Sequence, residues 1–174
     1  FMEIEQLDSA ALYADRVVEI SKDVDYDTGV LYGNALQTSI ALKRKEYVKV
    51  IELTNGLLER KTLENDWATY LTLLSRRATA LYKSGRSGAA LELTEQISET
   101  STLCGTIYCQ DDATWVNYEI FKNAGNYSEA LRHLEQNKVV KDSIVSQEKE
   151  LQLQELQERY EAEKNEREIL ELKR

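Results

Sequence analysis

Apolar residues in this chain recur at intervals of three and four, not two. In "LLSRRATALYK", Leu74, Ala78 and Leu81 fall on one face of a helix. The same spacing predicts paired helices along most of the chain. First helices are expected over Asp27–Lys43, Asp66–Lys83 and Thr106–Asn123, and second helices over Glu46–Glu59, Ser87–Glu99 and Tyr127–Lys138. From Val139 the sequence turns charged and has no turn residue. Glu155 with Arg159, and Glu163 with Arg167, form helix-supporting pairs four apart, which predicts one long helix. Leu153, Leu156 and Tyr160 begin a coiled-coil-like stripe there. Glu163 and Arg167 interrupt it before Leu170 resumes it, so a paired helix and a solvated single helix both fit.

The hairpins are copies of one another. "LYKSGRSGAALEL" and "FKNAGNYSEALRHL" align on Gly85 and Gly125, 40 residues apart, and the match continues through Leu81 and Phe121, Ala90 and Ala130, and Leu91 and Leu131. A further step back places Ala41, Lys45, Tyr47 and Val50 in the same register, and "LDSAALYADRVVEI" gives a partial copy with Ala10 or Ala11 in the small position. Gly85 and Gly125 are expected helix stops, because glycine adopts the left-handed conformation at little cost. Ser87 and Ser128 are expected to cap the helices that follow.

Composition agrees with helices. The 174 residues contain no Pro and 7 Gly, with 42% hydrophobic and 30% charged residues, which fits a folded all-α chain and not a turn-rich β one. A net charge of -9 lacks the basic stripe that direct nucleic-acid binding needs. No apolar run approaches the ~18 residues of a membrane span. The start at Phe1 ahead of Met2 and the end at Arg174 inside a charged helix read as those of a segment of a longer chain. Cys104 and Cys109 miss the C-x-x-C spacing. On one helix they would lie about 140° apart, so an intrahelical bridge is not expected and both read as small packing residues.

Catalytic and metal chemistry finds no support. "DVDYDTG" alternates carboxylates, but counting from Asp23 the sixth and twelfth places of a calcium loop hold Thr28 and Asn34 instead of Gly and Glu. His133 is the only histidine and reads as an exposed or half-buried surface residue. No nucleophile elbow, phosphate loop or zinc-protease motif occurs. The expectation is a non-enzyme without catalytic, cofactor-binding or metal residues.

The repeat resembles the tetratricopeptide repeat. Ala78, Leu81, Gly85, Ser87 and Ala90 occupy its characteristic places in one unit, Tyr118, Phe121, Gly125, Tyr127 and Ala130 in the next, and Thr38, Ala41, Lys45, Tyr47 and Val50 in the earlier one. The period is 40 in place of about 34, and the usual Pro is replaced by Thr62, Thr102 and Asp142. The resemblance implies a right-handed superhelical stack of antiparallel helix hairpins over 1–142, followed by a long charged helix over 143–174. It also implies a concave groove lined by the first helices and binding a protein or peptide ligand. Tyr32, Ser39, Thr72, Thr79, Tyr82, Asp112, Trp115, Glu119 and Lys122 would face that groove. Ala35 and Ser39 stand where the Lys and Asn of a carboxylate clamp would be needed, so a clamp of that type is not expected. The charged tail is similar to the segment that follows such repeats in bacterial membrane-anchored regulators. This implies a sensor or scaffold region of a signal-transduction or transcription-regulatory protein. It would lie on the periplasmic side in preference to the cytoplasm, and meet the membrane only through a segment outside this chain. The alternative is a self-association scaffold, a homodimer joined through the C-terminal helix.

Overall fold

The computed structural model describes residues 2–60 and 63–172, and among them the protein is all-α. The helices are α1 (Met2–Asp23), α2 (Asp27–Lys43), α3 (Tyr47–Leu58), α4 (Trp67–Lys83), α5 (Ser87–Leu91), α6 (Thr94–Cys104), α7 (Ile107–Asn123) and α8 (Tyr127–Leu172). Two compact units are distinguished, residues 1–137 and 138–174.

Within the first unit, α4 is the central element because its sequence carries apolar residues on more than one face. Leu71, Leu74, Ala78 and Leu81 pack with Ala90, Ile97, Ala113 and Ile120. Leu73 packs instead with Leu31, Ala35, Leu57 and Leu63, and Ala80 with Ala41 and Val50. A helix buried on both sides must sit between others, and α4 touches α2, α3, α5, α6 and α7. The 40-residue register holds in this core: Ile40, Ala80 and Ile120 are buried, as are Val50, Ala90 and Ala130. Leu57 and Ile97 are followed in register by Asn137, whose Nδ2 donates to Asp111 O at 3.0 Å and Thr114 Oγ1 at 3.0 Å.

The turns obey a shorter interval than the sequence suggests. Among the described residues, left-handed backbone occurs at Asp25, Lys45, Asn65, Gly85, Gly105 and Gly125, one every 20 residues. Four of these corners close alike. Tyr26, Glu46, Arg86 and Asn126 each donate a main-chain N–H to a carbonyl five residues back, at 2.7, 2.9, 2.9 and 2.9 Å. This is the Schellman closure, which satisfies carbonyls that the ending helix leaves open.

Several expectations are corrected. The second helix of the middle hairpin does not run unbroken from Ser87. It stops at Leu91 and restarts at Thr94, where Leu93 N–H reaches Ala90 O at 3.1 Å and Thr94 Oγ1 bonds Leu91 O at 2.8 Å. Ser87 and Ser128 are not caps, because the Schellman closures place the caps one or two residues earlier. Arg86 holds the cap position without a side-chain bond, and Asn126 Oδ1 accepts from Glu129 N–H at 3.3 Å. Cys104 and Cys109 are disulfide-bonded. They do not share a helix: Cys104 ends α6, Gly105 turns at φ 70°, and Cys109 lies in the first turn of α7. Finally, His133 is buried, stacked on Phe121 with ring centroids 5.4 Å apart.

The second unit is helical to Leu172, as part of α8. Leu151, Leu153, Leu156 and Tyr160 are exposed there. Among the described residues no helix is long and apolar enough to cross a membrane.

Candidate binding groove

α4 and α7 are both first helices of their hairpins, and they lie side by side. Small and hydroxylated residues at their facing positions leave a space between them. Ala68, Thr72, Ser75 and Thr79 of α4 face Asp112, Trp115 and Val116 of α7 across a cavity of ≈ 580 Å³. Leu42 of α2 also lines it, as do Thr106, Tyr108 and the disulfide-bonded Cys109. The Thr72 and Thr79 hydroxyls are turned back onto their own helix, bonding Ala68 O at 2.9 Å and Ser75 O at 2.7 Å.

Two charged side chains stand in this space, each fixed by a neutral neighbour. Arg76 Nη1 donates to Ala35 O at 2.6 Å and to Thr38 Oγ1 at 2.9 Å, tying α4 to α2. Ser75 Oγ donates to Asp112 Oδ2 at 2.9 Å, tying α4 to α7. Burial pushes the Asp112 carboxyl above its usual range, against the opposing pull of Ser75 and Arg76. Burial lowers the Arg76 guanidinium, with the charge of Asp112 working the other way. Among the described residues no ion pair joins them, so each charge is only partly compensated.

Of the residues expected to face a groove, Thr72, Thr79, Tyr82, Asp112 and Trp115 line this cavity. Tyr32, Ser39, Glu119 and Lys122 do not. The Tyr32 hydroxyl donates to Asp66 Oδ2 at 3.0 Å, and that bond with the Asp66 charge raises its pKa. Asp66 is also the cap of α4, accepting from Thr69 N–H at 3.1 Å. Burial works upward on its carboxyl, but the bonds from Thr69 and Tyr32 outweigh it and leave the pKa lowered. Glu119 and Lys122 form an ion pair at 3.7 Å, with Lys122 Nζ 5.1 Å from the Tyr118 ring centroid. Lys122 is raised by its contact with Tyr118 and the charge of Glu119. Burial, followed by the charge of Glu119, raises the Tyr82 phenol.

Arg76 and Tyr108 are among the lining residues that sequence reasoning missed, with Ala68, Leu71, Thr106, Cys109 and Val116. Arg76 stands in register with Leu36 and Val116, so the repeat gives it no polar counterpart. No protein-family model, curated protein or solved structure matches this sequence.

Proposed function

We propose that residues 1–142 form a tetratricopeptide-like stack of helix hairpins that binds a peptide or protein segment, with 143–174 as a helical extension. The observation that carries this reading is the cavity between two successive first helices, walled by Asp112, Trp115, Tyr82 and Arg76. Charged, aromatic and hydroxylated side chains at a concave surface are the ingredients of a recognition site. The 40-residue register and its repeated Schellman corners support a stacked array. We place the module in the sensor or scaffold region of a bacterial signalling or transcription-regulatory protein, acting by binding and not by catalysis. The Cys104–Cys109 disulfide favours the oxidising, periplasmic side of a membrane-anchored protein.

Selection from a displayed random-peptide library, counter-selected with a Thr79→Arg variant that fills the cavity, tests the reading. Enriched sequences that bind the wild-type chain and lose affinity for the variant are expected. A library that yields no cavity-dependent binder overturns it.

A second reading, self-association through α8, is favoured by one observation: Leu153, Leu156 and Tyr160 are 61%, 68% and 68% exposed. Light scattering of the full chain and of a Leu153→Glu/Leu156→Glu variant distinguishes the two. A dimer that becomes monomeric in the variant supports the scaffold, and a monomer in both rejects it.

A further inference from the structure

We infer that the α4–α7 cavity is a site for a small zwitterion, an α-amino acid with an apolar side chain, whose carboxylate meets Arg76 and whose ammonium meets Asp112. The two charged groups are held apart by the scaffold. Arg76 is anchored towards α2 by Ala35 O and Thr38, and Asp112 is anchored on the α7 wall by Ser75. Neither closes onto the other, so the cavity presents a donor-rich wall and an acceptor-rich wall. A purely anionic occupant would satisfy Arg76 and be repelled by Asp112. A purely cationic one would suffer the reverse. A group carrying both charges completes each with a charge-assisted hydrogen bond, which is stronger than a neutral one.

The directions of titration agree with this arrangement. Burial raises Asp112 and lowers Arg76, so the surroundings of each disfavour its ionised form. The volume of ≈ 580 Å³ lies in the range of small-molecule sites, about 300–1,000 Å³. Leu42, Leu71 and Val116 supply apolar lining, with the Trp115 indole, 43% exposed, beside them for the ligand side chain. The site shares the proposed peptide groove but does not depend on peptide binding.

Calorimetric titration of the full chain with L-leucine and L-phenylalanine tests the assignment. Each is compared with its N-acetyl acid, its amide, and its N-acetyl amide. The zwitterions are expected to bind, and loss of either ligand charge to weaken binding about tenfold or more. Asp112→Asn should remove the preference for the free ammonium over the N-acetyl form, and Arg76→Gln the preference for the carboxylate over the amide. Should Arg76→Gln unfold the chain, the ligand series on the wild type and Asp112→Asn still decide. Absence of zwitterion binding, or equal binding of the N-acetyl amides, overturns the inference. Peptides selected from the display library would leave the groove reading standing in either case.

Discussion

Arg76 Nη1 lies 2.6 Å from the main-chain oxygen of Ala35, so a charged side chain of α4 seals onto the backbone of α2. That carbonyl also accepts from the Thr38 hydroxyl at 2.7 Å. The guanidinium is therefore part of the joint between two hairpins as well as part of a cavity wall.

Arg76→Met keeps the aliphatic stem and removes the two bonds to α2. A hydrogen bond from a charged donor contributes about 1.5–3 kcal/mol, and relief of the partly buried charge offsets some of that loss. A net destabilisation of about 1–2 kcal/mol is expected. Urea unfolding should show a lower midpoint with an unchanged slope.

The corners separate backbone cost from packing cost. Lys45 adopts φ 61° and Gly85 φ 82° in equivalent closures. Nothing lies within 4 Å of a Cβ built at Gly85, so its substitution probes the backbone alone. Left-handed backbone costs a side-chain-bearing residue about 1–2 kcal/mol. Gly85→Ala should therefore lower stability by about 1 kcal/mol, and Lys45→Gly should raise it by a similar amount. Thermal melts of the two variants check both signs.

The disulfide closes a short loop between α6 and α7. Loop-closure entropy for so few residues predicts a contribution of about 2 kcal/mol. Cys104→Ser should lower the unfolding midpoint accordingly, and a dithiol reductant should lower the wild type but not the variant. Alkylation followed by mass spectrometry, with and without reduction, reports the bond directly.

His133 gives the fold a pH dependence of known sign. Arg132 Nη2 sits 2.9 Å from His133 Nε2, and a guanidinium can only donate, so Nε2 accepts and the proton resides on Nδ1. Burial, then the Arg132 charge, lowers the pKa, with Glu129 opposing. The unfolded chain thus takes up a proton more readily than the folded one. This contribution to stability is present above the ordinary histidine pKa of about 6.5 and is lost as pH falls through the lower folded value. His133→Phe should preserve the stack on Phe121 and flatten that part of the profile. Unfolding at pH 7.5 and at stepwise lower pH measures the slope.

How legible the fold was depends on which signal each element uses. The ends of α2, α4 and α7 lie within a residue of the expected positions, because apolar spacing and the Gly85 and Gly125 stops mark them. The break between α5 and α6 carries neither Gly nor Pro. It is made by hydrogen bonds of Leu93 and Thr94, which no local composition announces. At Asp25, Lys45 and Asn65 the gaps between expected helices mark the turns but not their left-handed backbone, because side-chain-bearing residues occupy there a conformation usually given to glycine. In the site, Asp112 and Trp115 were accessible to repeat alignment, whereas Arg76 was not. Its role comes from a carbonyl 41 residues away, a relation that only the packed helices create.

The even spacing of the corners sets rules for changing the length of the helical chain. Removing or duplicating 40 residues between equivalent corners returns the chain to a helix of the same kind, with its buried face already in phase. Removing 20 would also land on a corner, but would put a second helix where a first helix belongs. Growth and shortening of this protein are thus quantised in hairpins, although the backbone counts in single helices.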